Sequence, residues 1–176
     1  MLDPTDIKIL TILQHHGRRH LAEIAKEVSL SPPAVLERVK KLETRGIIKG
    51  YHAAVEAKKV GKDITSFIGV SIAHQRYIEI FSSNMAARED VLECHHVTGD
   101  ESFILKVKTA DTVSLEKLLA EIRSMEGVTR TVTKVVLSTS KESQVLSLDG
   151  SVQEPAEEGK FLETNRKALT GSLRKK

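Results

Sequence analysis

Residues 20–51, HLAEIAKEVSLSPPAVLERVKKLETRGIIKGY, decide how the rest of the chain is read. Leu21, Ile24, Ala25 and Val28 recur at i, i+3, i+4 and i+7, which puts four apolar side chains on one face of a short helix. Leu30 and Ser31 make a turn. Ser31 is a good N-cap, and Pro32 suits the first helical position, where its missing N–H is not needed, so a second helix begins there. That helix runs to Arg45 and stops at Gly46, a residue able to take the left-handed conformation that closes a helix.

Val35, Leu36, Val39 and Leu42 form the inward stripe of the second helix. At about 100° per residue, the opposite side carries Pro33, Glu37, Lys40, Lys41 and Thr44, flanked by Ala34, Arg38 and Arg45. Two helices joined by three or four residues, with small Ala25 where they approach, fit the helix-turn-helix arrangement for the DNA major groove. An ordinary amphipathic pair with a solvated charged side fits the same pattern, Glu37 and Lys41 then being a surface ion pair.

Working outward, Asp3 caps a first helix, with Pro4 at its first position and Asp6 three residues past the cap. Ile7, Leu10 and Leu13 face inward, Gly17 ends the helix, and the three helices together enclose a core. Arg18 and Arg19 enter the next helix, where phosphate contact and simple solvation are equally compatible with their position. After Gly46, the apolar residues Ile47, Ile48, Tyr51 and Val55 predict a strand forming a wing beside the helices.

The strings LDPTDIKILTILQHHGR (2–18), LSPPAVLERVKKLE (30–43), GIIKGY (46–51) and ECHHVTGD (93–100) resemble the Lrp/AsnC, or feast/famine, family of prokaryotic transcription regulators, over roughly residues 2–140. The resemblance implies a double-stranded DNA partner. It also implies a C-terminal domain that dimerises, assembles further into species such as octamers, and binds small effectors, often amino acids, between subunits. Sirohaem decarboxylases resemble the same two-domain layout, and His95 or His96 would then serve a tetrapyrrole; their GIIRR-type segment is GIIKGY here. A third alternative is an architectural DNA binder without effector control.

Lys58, Lys59, Gly61 and Lys62 break the apolar pattern, and from Thr65 the period changes. Phe67–Ile72 alternates as a strand, Ile78, Phe81 and Met85 space as a helix, and 91–98 and 103–108 are strands. Leu115, Leu118, Leu119, Ile122 and Met125 make a helix closed by Gly127, and 128–137 is a last strand. The expected fold class is therefore α+β: a winged helix-turn-helix (1–55), a linker (56–64), a ferredoxin-like βαββαβ sandwich (65–140) and a mobile polar and basic tail (141–176) with a weak helix around 161–169. Ile68, Val70 and Ile72 lie on one face and Phe67 on the other. A lone sheet with two apolar faces would leave one exposed, so dimerisation through it is expected.

At 40% apolar content the 176 residues can fill two small cores. No run approaches the ~20 apolar residues of a membrane span. The amino terminus lacks a signal pattern and the single Cys94 fits a reducing compartment, so a cytoplasmic location without a membrane partner is expected. The net charge of +3 is uneven: +3 over 1–50, −2 over 51–149 and +2 over 150–176. No nucleophile elbow, phosphate loop or metal-hydrolase motif occurs, so the chain is read as a non-enzyme without a cofactor. Alternation puts His95 on the face opposite Cys94 and His96, too few ligands for a metal site.

The candidate DNA-contacting set is Arg18, Arg19, Ser31, Pro32, Pro33, Ala34, Glu37, Arg38, Lys40 and Lys41. The family often has a basic residue where Glu37 stands, so DNA sequence preference does not carry over. VTGD resembles the family's effector loop, which assigns Thr98, Gly99 and Asp100 to the ligand, against the alternative of an ordinary hairpin turn. The family's second acidic residue is replaced by Ser102, with Glu101 beside it, and Thr131 and Thr133 match positions near the effector.

Overall fold

The computed structural model describes residues 2–148, which divide into two compact units. The first comprises the chain up to His52 and, from Ser143, the last described residues; the second is Ala53–Glu142.

The first unit is three helices, α1 (Pro4–His15), α2 (Leu21–Val28) and α3 (Pro32–Thr44). Asp3 and Asp6 form a reciprocal capping box at the start of α1: the Asp6 N–H donates to Asp3 Oδ1 at 2.8 Å, and the Asp3 N–H to Asp6 Oδ2 at 3.2 Å. The core is Ile9, Leu10, Ile24, Ala25, Val35, Val39 and Leu42. Two details differ from the sequence reading. Ile9, not Ile7, is the fully buried residue of α1, because Asp6 turns inward and rotates the stripe with it; and Leu36 lies 39% exposed on the flank of its helix. Between α2 and α3, Ser29 takes the left-handed conformation at φ 57°, and the Leu30 N–H closes the end of α2 on the Ala25 carbonyl at 3.0 Å.

Helix α3 ends in a Schellman motif. Gly46 has φ 69°, its N–H donates to the Glu43 carbonyl at 2.9 Å, and the Ile47 N–H reaches the Leu42 carbonyl at 2.9 Å. This capping takes the place of the expected wing. The Ile48 N–H also turns back to Leu42, so the amides that would begin a strand are spent on the helix end. Among the described residues no strand forms between Gly46 and Glu56. Ile47 and Ile48 pack onto the helical core instead, while Tyr51 and Val55 stay exposed.

The second unit contains β1 (Ile64–Ile72), α4 (Ile78–Ala86), β2 (Val91–His96), β3 (Phe103–Thr109), α5 (Thr112–Arg123) and β4 (Val128–Val135). Its antiparallel sheet has the order β2-β3-β1-β4, the arrangement expected of a ferredoxin-like βαββαβ chain. Ile68, Val70, Phe103, Leu105 and Val107 face the helices and close a core with Phe81, Met85, Leu115, Leu118 and Ile122. The expected linker is not a free connector: Ala57–Val60 forms a 3-10 turn, Lys62 pairs with Asp90 at 2.8 Å, and the Asp63 N–H donates to the Ala110 carbonyl at 3.4 Å.

The other sheet face carries Phe67 and Ile104, both partly exposed, interleaved with Lys106, Lys108 and Lys134. Lys106 binds Glu142 at 2.6 Å and Glu93 at 3.2 Å, and Lys108 approaches Glu142 at 3.7 Å. The two lysines hold the Glu142 carboxyl below its usual range, Lys106 contributing most. The stretch read as a tail from 141 is thus tied down in its described part; the remainder, with the helix expected around 161–169, lies outside the described residues. Among the described residues no helix is long and apolar enough to cross a membrane.

Candidate nucleic-acid interface and effector loop

Burial of Val35, Val39 and Leu42 turns the opposite side of α3 to solvent, and Ser31, Pro32, Pro33, Glu37, Lys40, Lys41 and Thr44 are all exposed there. The Ser31 hydroxyl caps the helix by accepting the Ala34 N–H at 3.4 Å. Lys41 and Glu37 pair at 2.7 Å with about two-thirds of each side chain exposed. Lys41 holds the Glu37 carboxyl below its usual range. An exposed pair of this kind contributes little to stability, so an approaching phosphate can open it at little cost.

Two arginines of the candidate set are engaged within the fold. Arg19 binds Glu23 at 2.8 Å and Glu27 at 2.6 Å. Arg38 lies against the capping box of α1, where its Nη1 donates to Asp3 Oδ2 at 2.5 Å and Asp6 Oδ1 at 2.7 Å. Asp3 is held below the usual aspartate value first by the Asp6 backbone N–H and then by Arg38. Arg38 is thus a bracket between α3 and α1. The side chains of Arg18 and Lys40, by contrast, have no partner among the described residues, and both residues are exposed. Tyr51, expected as a member of the wing strand, instead meets α3. Its phenol donates to Glu43 Oε1 at 3.1 Å, and partial burial of this half-exposed residue together with that carboxylate pushes its pKa up to about 12. The pairing ties the chain after α3 back to that helix; an aromatic eight residues after a Glu offers no periodic signal that would reveal it.

In the second unit, residues 98–101 form a short loop closed by the Val97 N–H on the Ser102 carbonyl at 3.0 Å. Gly99 sits at φ 119°, a conformation that side chains resist, with open space where a Cβ would stand. Thr98, Gly99 and Asp100 are exposed. Ser102 faces inward: its N–H donates to the Val70 carbonyl at 2.8 Å and its Oγ accepts the Ile72 N–H at 3.0 Å, so it stitches the loop to β1.

Glu101 folds back over Gly69, where a Cβ would lie 2.7 Å from Glu101 Cγ. Gly69 alternates with Ile68 and Val70, so Glu101 stands on the sheet face away from the helices. Thr131 and Thr133 pair in register with Val70 and Ile68 and therefore point to the opposite, helix-bearing face. Thr131 accepts a hydrogen bond from Arg123 Nε at 2.9 Å, and the Thr133 hydroxyl is buried without a partner among the described residues. Within one chain, the two threonines and the loop do not form one site.

The comparisons with known proteins follow this division. The AsnC-type helix-turn-helix domain matches residues 2–43, and the Lrp/AsnC ligand binding domain matches residues 65–146. The chain belongs to the Lrp/AsnC family. The HTH-type transcriptional regulator FL11 of Pyrococcus horikoshii is 35% identical across 84% of this Lrp/AsnC chain and 97% of its own length. The leucine-responsive regulatory protein of Haemophilus influenzae is 35% identical, covering 84% and 90%. Among solved structures, the Neisseria meningitidis transcriptional regulator NMB0573, determined as an L-Met complex, matches with a TM-score of 0.79 at 33% identity, over 85% of this chain and 98% of its own. Escherichia coli AsnC matches with a TM-score of 0.76 at 27% identity, over 82% and 98%. The protein is a transcription regulator with a helix-turn-helix and a ligand-binding domain, and its α+β architecture is that of the family.

Proposed function

We propose that this Lrp/AsnC regulator lays α3 in the DNA major groove, with Ser31, Pro32, Pro33, Ala34 and Glu37 toward the bases and Arg18, Lys40 and Lys41 toward phosphates. The observation that carries this reading is the division of α3 into a buried apolar stripe and an exposed face that is small at its start and basic further on. Footprinting on the protein's own upstream region tests it. The reading includes a cytoplasmic location and no catalytic role.

The effector is an L-amino acid held at the 98–101 loop, by likeness to the L-Met complex of the Neisseria relative. Gly99 leaves room for a ligand to approach the backbone, and the Glu101 carboxylate, which has no hydrogen bond or ion pair among the described residues, is available to an ammonium group. Gly99→Val adds a branched side chain at a left-handed position and is expected to abolish the thermal stabilisation produced by amino acids while leaving ligand-free DNA affinity within about twofold. A variant that loses DNA binding together with the ligand response would show the glycine to be a folding requirement only.

Self-assembly proceeds through the sheet face that carries Phe67 and Ile104. Light scattering on the full chain at micromolar concentration is expected to give a dimer or a multiple of dimers, and Phe67→Asp to lower that mass. A monomeric wild type would remove this part of the reading. Because the loop and α3 belong to different units, an effector alters DNA binding only by binding two assembly states unequally.

A further inference from the structure

Within the first unit, α3 is fastened to α1 by hydrogen bonds at two points. One is the Arg38 bracket to Asp3 and Asp6 at the start of α1. The other lies at the opposite end of α1 and draws on three stretches of the chain. Beyond Gly46 the chain folds back beside α3: the Ile47 and Ile48 N–H groups close on the Leu42 carbonyl, and the Tyr51 phenol donates to Glu43. This return stretch and α1 are the walls of an apolar groove lined by Leu10, Leu13, Ile47, Ile48 and Tyr51.

Residues 146–148 lie along that groove as a strap, and Leu148 packs on the helical core. The Gln14 carboxamide grips both polar groups of one strap residue: the Leu146 N–H donates to its Oε1 at 2.7 Å, and its Nε2 donates to the Leu146 carbonyl at 3.2 Å. The Leu146 side chain is 70% exposed, so Gln14 holds the strap by its backbone and Leu148 supplies the apolar anchor. The helix-turn-helix match covers residues 2–43 and the ligand-binding match residues 65–146, so the return stretch and Leu148 belong to neither.

Gln14 stands eight residues beyond Asp6 on α1, about 12 Å of helix rise. The apolar core between the helices attracts without direction. Two hydrogen-bonded fastenings that far apart fix the angle at which α3 crosses α1. We propose that Gln14 is a positioning residue for DNA recognition: through the strap it sets the tilt of α3, and with it the preference for operator sequence, without touching DNA itself. The inference rests on the reading of α3 as the DNA-contacting helix. A hydrogen bond to a base edge is lost on a misplacement of about 0.5 Å, whereas the attraction between a cation and a phosphate falls only with the inverse of distance. A tilted α3 therefore loses its hold on bases and keeps its hold on the backbone.

The test measures the affinity of the full chain for a footprinted operator duplex and for an unrelated duplex. Gln14→Met and Leu148→Met are compared with the wild type at a temperature where melting curves show all three folded. Gln14→Met keeps an unbranched side chain of high helix propensity and removes both hydrogen bonds to the strap; Gln14 is outside the apolar core, which the change leaves intact. Leu148→Met conserves the anchor. Gln14→Met is expected to lower the ratio of operator to unrelated affinity about tenfold, the scale of one lost base contact, with the salt slope on the unrelated duplex unchanged. Leu148→Met should retain the wild-type ratio. An equal fall in both affinities, which lost folding alone would produce, overturns the proposal, and so does no change in either; both leave the α3 reading intact. A ratio lost equally in Leu148→Met also overturns it, since the effect would then not depend on the Gln14 grip. A wild type with no preference between the duplexes overturns the α3 reading and this inference with it.

Discussion

Changing Arg18, Lys40 and Lys41 together to Gln is expected to flatten the salt dependence of operator binding by about two to three units and to weaken binding by roughly a hundredfold at 0.15 M salt. The estimate follows from counting one displaced counterion for each phosphate neutralised. All three side chains sit outside the helical core, and the only described partner among them is the exposed Glu37–Lys41 pair, so the variant should keep its fold. Circular dichroism melting run beside fluorescence anisotropy separates lost contacts from lost structure. A triple variant that folds and binds with the wild-type slope would exclude this side of α3 from the interface.

Arg38→Ala should behave differently: it should lower the melting temperature of the first unit by roughly 10 °C, equivalent to about 2 kcal/mol. Removing the guanidinium leaves the Asp3 and Asp6 carboxylates facing each other, Asp6 with a side chain only 12% exposed, and no cation between them. Adding Asp3→Asn and Asp6→Asn should restore part of the loss, because an amide oxygen still caps the helix while the repulsion disappears. The bracket also sets a pH limit. Asp3 has a folded pKa below its ordinary value of 3.8, so its contribution is complete above that value and is lost as the pH falls through the lower, folded one. The wild-type unit should therefore lose stability below about pH 4, and the Asp3→Asn variant should show a weaker dependence there. An Arg38→Ala protein with unchanged melting and a salt slope reduced by one unit would mean that Arg38 spends its charge on DNA.

Arg38 also illustrates what could be read in advance and what could not. The helices, the Ser31 and Asp3 caps, Gly46 and the βαββαβ order were all legible, because caps and periodicity act over three or four residues and the sequence displays them directly. Arg38 and Asp3 stand 35 positions apart, and their pairing depends on how α3 crosses α1, which no local pattern encodes. The expected wing fails for a related reason: Ile47 and Ile48 have the composition of a strand, but their N–H groups are taken up by the Leu42 carbonyl at the end of α3. In the second unit, the loop from Thr98 could be located by its glycine, whereas the opposite facing of Thr131 and Glu101 required the register of β1 against β4. That Gly69 makes room for Glu101 appears only when two strands separated by more than thirty residues are laid side by side.

Residues 143–148, in which Leu146 pairs with the Gln14 side chain and Leu148 packs on the helical core, give the DNA-binding unit a history in time. A ribosome releases α1, α2 and α3 first, and helices of such short contact range form as they emerge. The groove along α1 stays uncovered until Leu148 appears, and the roughly 100 residues between Ile48 and Leu148 take about 5–20 s to synthesise at 5–20 residues per second. During that interval Leu10, Leu13, Ile47 and Ile48 present an apolar surface to whatever is near. The first unit is thus completed by nearly the last described segment, and a chain interrupted after β4 would carry its three helices with that surface bare.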